Sequence, residues 1–438
     1  MGMEVKPFRA FRFDPAVVGD VGDCIAPPYD VIGAEQQEQL YEKNEHNIVR
    51  ITRAKSFACD SDADNQYTRA RGYLNEWIAS GALKQDSAEA IYGYVQDYDL
   101  GGTHLQRLTF IALAKLEDFG KIVKPHEETL EKPMQDRLNL TRATSAQFGL
   151  VFMLYNDERG IADEIIECAA VGEALIDFAD EQEVRHRLFA IIARKDVEAI
   201  GRMMGDKSVI IADGHHRYTT GLMYSRENSN PAAKYQMLAF TNMAHEGLIV
   251  LATHRLVANL DGFDIKKLIA GFGRNFKVTA RAFDDEESKA DAKGEMLARM
   301  KREMDKGRNA FAIYGGDGAF YLAVLKDGGA MDSAVPERSA AYRSLDVAVL
   351  HKLILEKLLG IDEQRRAKGE NLEYVKGTPN AIDDSIARVD AGEKQAAFFV
   401  NPIKMSQLIG VTDAGERMPQ KSTYFYPKMF TGLTINRL

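Results

Sequence analysis

Cysteine is scarce in this chain: three in 438 residues, Cys24, Cys59 and Cys168. None stands in a CxxC pair and the number is odd, which argues against a disulfide framework and against a thiolate zinc site. Long apolar runs are missing as well. Nowhere do about 18 uninterrupted apolar residues occur, so no membrane span is expected. The opening stretch MGMEVKPFRAFRFDP is charged and has no apolar signal core, so a cytoplasmic location is expected. Basic charge is not in excess either: 56 Lys and Arg stand against 65 Asp and Glu, a formal net charge of -9. A general nucleic-acid binder is usually basic, so no nucleic-acid partner is expected. Local basic pockets for small phosphorylated ligands are compatible with that balance. Internal repeats and low-complexity tracts are also absent.

What is present reads as an ordinary globular protein, 45% hydrophobic and 28% charged. The length exceeds what one core usually organises, so two or three domains are expected. EAIYGYVQDYDL and HLQRLTFIALAKLED alternate about Gly101-Gly102 and predict a hairpin. IVRITRA reads as a strand by its β-branched alternation, and DNQYTRARGYLNEWIASGAL as a helix stopped at Gly81. GLVFMLYND and EVRHRLFAIIA read as strands. From about Asp261 the texture changes to an α-β-α-β-β unit, with a hairpin across Gly315-Gly316. LDVAVLHKLILEKLLG then predicts a helix. The expected class is α/β (mixed α+β), because strands and helices alternate irregularly. Three regions are expected: 1–258, an inserted small α/β subdomain at 259–330, and a C-terminal lobe at 331–438 that returns to the site.

The chemistry concentrates in SVIIADGHHRYTTGLMYSRE, residues 208 to 227. A buried strand runs into Asp213-Gly214-His215-His216-Arg217, and a helical pattern follows. A helix that opens there exposes unpaired backbone N–H groups, and its dipole adds partial positive charge, so the turn suits phosphate. Gly214 lets the backbone approach a ligand closely. Arg217 offers a forked donor, and His215 and His216 can donate to oxygens or move a proton near neutral pH. Asp213 can cap the helix, hold a metal ion or orient a histidine. The bland alternative makes Asp213 an N-cap and Gly214 a simple turn.

Three further clusters join the list. KIVKPHEETLEKPMQDRLNLTRAT carries His126, Glu127 and Arg137, either as a solvated helix with i,i+4 ion pairs or as a loop and helix delivering them to a phosphate or a magnesium ion. MPQKSTYFYPK carries Lys421, Ser422 and Thr423 without the glycine spacing of a P-loop, so it is no Walker motif; with Tyr424 and Lys428 it is a stiff segment carrying donors. Its alternative is a strand packed on the core. CIAPPYDVI holds Asp30 after stiff prolines, as a general base, a magnesium ligand or an Asx turn.

Taken in order along the chain, PFRAFR, APPYDVI, HNIVRITRA, PHEETLEKPMQDR, IADGHHRYTTG, LDVAVLH and GERMPQKSTYFYPKMFTGL resemble the family catalogued as domain of unknown function 1015. The Asp213 to Arg217 turn also resembles the signature of ParB-like and sulfiredoxin-like proteins, in which it binds nucleotide phosphates and some members phosphorylate free serine. The turn has no cysteine, which sets the chain apart from the sulfinic acid reductases. The DNA-reading helices of a ParB protein are not evident either. The resemblance implies a ParB/sulfiredoxin-like phosphate-binding core. It implies ATP or ADP as phosphoryl donor, a magnesium ion, and a small hydroxyl acceptor such as L-serine. On that reading Asp213, Gly214, His215, His216, Arg217, Arg137, Lys421, Ser422 and Thr423 hold the nucleotide, and Glu127 and Asp213 the metal. Asp30, His126, Glu127, His215, His216 and Arg217 serve the transfer. The alternative is a nucleotide sensor that binds without turnover.

Overall fold

Gly101 and Gly102, with φ of 58° and 77°, turn the chain between Ile91–Leu100 and Thr103–Lys115, as the alternation predicts. The computed structural model describes residues 2–129 and 131–438. The chain forms two units, one reaching Ile249 and joined by Pro427–Leu438, the other Val250–Tyr426.

The hairpin is the centre of the first unit's nine-stranded sheet. In sheet order the strands are Val123–Lys124, Val209–Asp213, Val151–Tyr155, Tyr235–Asn242, Thr103–Lys115, Ile91–Leu100, Arg185–Ile191 and Ile176–Ala179, with Val5–Lys6 also paired to Thr103–Lys115. Val209–Asp213 runs parallel to Val123–Lys124 and antiparallel to Val151–Tyr155. Its register shifts between Ile211 and Asp213, which oppose Met153 and Phe152. Such a bulge inserts a residue and re-aims the side chain beyond it. Here that side chain is Asp213.

One core cluster gathers Phe110, Phe240, Met153, Ile211 and Leu238 from the sheet with Ile166, Met203 and Tyr218 from helices Ile161–Ala169, Arg194–Met204 and His215–Glu227. Phe110 and Phe240 stack at 4.8 Å and are fully buried. A second cluster packs Trp77, Leu74 and Ala70 of helix Gln66–Ala79 against Ile48, Val49 and Ile51. In place of the predicted strand there is a short helix, Val49–Thr52, with Ile48 at its N-cap. The Asn47 side chain accepts from Val49 N–H at 2.9 Å, and Arg53 N–H donates to the Val49 carbonyl at 2.9 Å. Packing against Trp77 overrides the β-branched preference. The C-terminal strand Asn436–Arg437 pairs with Ala146–Gln147, and Thr431 bridges to Ala26.

The second unit is a six-stranded antiparallel sheet in the order Phe276–Ala282, Ala319–Leu325, Ala310–Tyr314, Ala396–Phe399, Thr253–Val257, Leu372–Lys376. Helices Glu286–Asp305 and Ala381–Asp390 supply Met296, Met300, Ile386 and Val389 to its core. The predicted α-β-α-β-β segment is there, but it is not a separate body at 259–330. Its three strands complete one sheet with Thr253–Val257, Leu372–Lys376 and Ala396–Phe399, so 259–330 and most of 331–438 share a core. The predicted helix at LDVAVLHKLILEKLLG splits into an α segment, Asp346–Val349, and a π-helix, Leu350–Glu356. No helix among the described residues is long and apolar enough to cross a membrane.

Buried histidines give the fold a pH signature. Burial pushes the imidazoles of His126, His186 and His351 below their ordinary value, and that of His254 down to about 4. The unfolded chain therefore binds more protons once pH falls below about 6.5, the unperturbed imidazole value, and stability falls with it. Asp346 acts oppositely: burial pushes it up to about 6 against hydrogen bonds from Asn309 and Asn401. Its folded form binds more protons as pH falls through 6, which adds stability there. Burial raises Asp163 too, which acts in the same sense as Asp346. Four imidazoles outweigh two carboxyls, so thermal melts are expected to show Tm falling between about pH 7.5 and about pH 5.5. A flat or rising Tm over that window contradicts this account.

Candidate functional site

The predicted strand, turn and helix form as read: Val209–Asp213, Gly214 at φ 92°, then His215–Glu227. Glycine is needed at 214 twice over. Its φ lies in the left-handed region, and a Cβ there would stand 3.0 Å from Nε of Arg217. Arg217 thus folds back over the turn that precedes it.

Asp213 sits at the focus of positive charge. Lys428 Nζ donates to its Oδ2 at 2.6 Å, and Arg217 Nη2 lies 3.5 Å from Oδ1. Burial pushes this carboxyl up, but the Lys428 ammonium and the Arg217 guanidinium outweigh burial and hold it well below the usual carboxylate range. Asp213 is not the N-cap, since Gly214 occupies that position. Its oxygens are committed to cations, so a magnesium ion at Asp213 would have to displace Lys428. Among the described residues no group of three His, Cys, Asp or Glu side chains stands at metal-binding distance.

The second sequence cluster meets the first. His126 follows the strand Val123–Lys124, which is hydrogen-bonded to Val209–Asp213, so pairing in the sheet carries it to the turn. His126 backbone N–H donates to Nε2 of His215 at 3.2 Å, and the two rings meet edge to face at 4.7 Å. His126 Nδ1 lies 2.6 Å from the Ile211 carbonyl. A carbonyl only accepts, so Nδ1 carries the proton and neutral His126 holds its lone pair on Nε2. His215 must likewise carry its neutral proton on Nδ1. His126 and His215 are buried, His216 and Glu127 half-buried, and Asp30 exposed.

Beside the turn lies a pocket with about 640 Å³ of empty space, its open mouth included. Arg217, Arg137, Tyr29, Gln147, Gly149, Thr220 and Gln236 are among its lining. Arg137 stacks 4.0 Å over the Tyr29 ring, donates to the Thr52 carbonyl at 2.7 Å, and grips Asp136 through Nε and Nη2. Burial pushes the Tyr29 phenol up, while Arg137 and Arg217 pull it back. Arg217 Nη1 donates to the Leu150 carbonyl. A Cβ on Gly149 would stand 3.2 Å from that nitrogen, so Gly149 leaves the room in which the guanidinium lies.

The first unit therefore gathers Asp213, Gly214, His215, Arg217 and His126 at one turn, and Arg137 with Arg217 at one pocket. Lys421, Ser422 and Thr423 belong to the second unit. There Ser422 is buried and its hydroxyl donates to the Pro419 carbonyl, and the Lys421 carbonyl accepts from the buried Arg255 at 3.0 Å. The following Tyr424–Tyr426 is a strand, the alternative weighed for that segment. Lys428, counted among the donors of MPQKSTYFYPK but not assigned to the site, is the member of that cluster that reaches the turn. It stands 215 positions from Asp213.

Residues 5–348 match the family model described as "Protein of unknown function (DUF1015)". No curated protein matches the chain. Among solved structures, the chain is similar to a free serine kinase in complex with AMP, at 12% identity and a TM-score of 0.35 over 72% of this chain and 86% of that one. A mutant free serine kinase in complex with ADP gives 12% identity and a TM-score of 0.35, over 72% and 87%. A conserved hypothetical protein from Pyrococcus furiosus gives 15% and 0.33, over 72% and 90%.

Proposed function

The chain belongs to the DUF1015 family, described only as a protein of unknown function, and for this member we propose a nucleotide-dependent phosphotransferase acting on a small hydroxyl compound. One observation carries the reading: a thirteen-residue helix opens on Gly214, and Arg217, in its first turn, lines a pocket that runs along the helix side past Thr220, Gly221 and Tyr224. The guanidinium is a forked donor for anionic oxygens in that pocket, and the helix amino end beside it is of a kind that favours phosphate. The resemblance of the Asp213 to Arg217 turn to nucleotide-binding ParB-like and sulfiredoxin-like proteins supports the same assignment, with ATP or ADP as donor and L-serine as the candidate acceptor.

In the proposed reaction the acceptor oxygen forms a bond to the terminal phosphorus, and the bond from that phosphorus to the bridging oxygen breaks. The shortened nucleotide leaves with the electron pair. Phosphoryl transfer rests mainly on positioning and charge neutralisation, which suits Arg217 and Arg137. The acceptor hydroxyl proton goes to Glu127 or Asp30, with the His126–His215 pair next in reach of the turn. Any magnesium ion comes in on the phosphates of the nucleotide.

The test is a thermal-shift screen of nucleotides with magnesium, followed by product analysis of the best hit with a panel of amino acids and other small alcohols. Formation of an O-phosphorylated acceptor with matching release of the shortened nucleotide is expected. Tight nucleotide binding with no product from any acceptor would instead establish a sensor.

A further inference from the structure

The hairpin strand Thr103–Lys115 carries a cation that nothing above uses. Arg107 is fully buried, yet among the described residues it has no ion-pair partner. Its Nη2 donates to the Gln96 side-chain oxygen, while Nε and Nη1, which carry most of its N–H donors, are without a hydrogen-bond partner. Burying a guanidinium with its donors unspent is among the most costly arrangements a fold can hold.

The surroundings fix this charge in place and aim it. His186, Gln96 and Arg107 are successive cross-strand neighbours on three adjacent strands. Gln96 Nε2 donates to the Lys428 carbonyl at 3.0 Å, so its oxygen has to face Arg107. Behind it, His186 Nδ1 lies 2.5 Å from the Tyr94 hydroxyl, and His186 Nε2 lies 3.1 Å from Asp180. The chain of polar groups runs from Asp180 to Arg107 and ends there unsatisfied. At the other end, the Arg107 guanidinium lies 5.0 Å from the ring centroid of Phe152, the residue opposite Asp213 on the neighbouring strand. Burial pushes Arg107 down to about 10, still charged at neutral pH, with Tyr94, Tyr98 and Asp213 pulling the other way. Asp213 thus acts on Arg107 from a distance, while Lys428 and Arg217 are the cations paired with it.

We infer that Arg107 is the innermost ligand of an anionic group, the oxygens of a phosphate or a carboxylate, bound beside Asp213 and reached past Lys428. The inference rests on the phosphotransferase reading for the identity of the ligand; the unspent buried guanidinium does not depend on it. A phosphate would come from the nucleotide, a carboxylate from an amino-acid acceptor.

The experiment compares the full chain with its Arg107→Met variant, which keeps the length and removes the charge. Thermal-shift titrations use inorganic phosphate, ADP, L-serine and L-serinamide as probes. The ligand-free variant is expected to melt at or above the wild-type temperature, because an uncompensated buried charge is gone. Its apparent Kd for the recognised anion is expected to rise about 100-fold, the loss of charged hydrogen bonds. Loss confined to phosphate and ADP identifies the phosphate. Loss confined to L-serine, with L-serinamide already ignored by the wild type, identifies the carboxylate. A variant that keeps every response, or a wild type that ignores every probe, overturns the site. Should the variant not fold, the 15N signal of the wild-type Arg107 Nε–H decides: it shifts when the recognised anion is added, and an unmoved signal overturns the proposal. Anion binding lost in Arg107→Met, with no phosphoryl transfer in any assay, leaves this site standing and removes the kinase. Phosphoryl transfer undiminished in Arg107→Met does the reverse.

Discussion

Arg217→Ala is expected to lower phosphoryl-transfer turnover by about 100-fold or more, the size of effect seen when one preorganised donor to developing charge is removed. The side chain is held from three sides. Its Nη1 donates to the Leu150 carbonyl, its Nη2 stands 3.5 Å from Asp213, and the missing Cβ atoms at Gly149 and Gly214 leave the space it occupies. A guanidinium placed so firmly needs little reorganisation when a phosphate arrives, and that preorganisation is what makes the contact strong. Arg217→Lys keeps the charge but loses the fork, so it is expected to fall between wild type and alanine. Steady-state kinetics with the donor and acceptor found in the screen check both variants. Near wild-type kcat/KM in Arg217→Ala would remove Arg217 from the proposed mechanism. A loss in alanine that lysine fully restores would mean that charge alone matters.

Much of the site's local frame was legible in the sequence because its signals are local. The strand 209–213 ends in Gly214 and a helix opens, and those residues sit next to one another in the chain. The hairpin about Gly101-Gly102 declares itself by alternation and two glycines. The failures have a common cause in tertiary packing. Ile48, Val49 and Ile51 read as a strand because β-branched residues favour extended chain. Asn47 and the Trp77 cluster instead coil them into one helical turn. Arg107 sat at a polar position in an alternating strand, which ordinarily means a solvent-facing side. Here that face is covered as well, as full burial of Tyr94, Gln96, Arg107 and Thr109 shows, while Val95, Leu108 and Phe110 fill the core on the other face. Lys428 reaches Asp213 only because the tail returns to the first unit. The proposed boundary near 258 failed to anticipate that Thr253–Val257 belongs with Leu372–Lys376 and Ala396–Phe399. Pairing partners more than a hundred residues apart leave no local mark.

Asp213→Ala is expected to cost about 3 kcal/mol of stability, the low end for removing one partner of a buried charge pair, because Asp213 and Lys428 each keep about a fifth of their side chain exposed. The cost comes from what stays behind. Lys428 and Arg217 lose the carboxylate between them, and like charges then face one another in a poorly hydrated place. Asp213→Asn keeps the shape and an acceptor oxygen, so it is expected to cost less than alanine while still losing the charge. The sharper consequence concerns salt. Millimolar phosphate is expected to raise the Tm of Asp213→Ala by more than it raises that of the wild type, since the variant holds a cationic hollow with no internal anion. Chloride at matched ionic strength is expected to do much less, because a weakly bound monovalent ion cannot bridge an ammonium and a guanidinium group as phosphate oxygens can. Urea melts give the stability loss, and thermal melts in phosphate and chloride give the rescue. A small loss for Asp213→Ala, or equal rescue by both salts, would mean that the two cations are hydrated separately and that the turn is not the anion site on which the phosphotransferase reading depends.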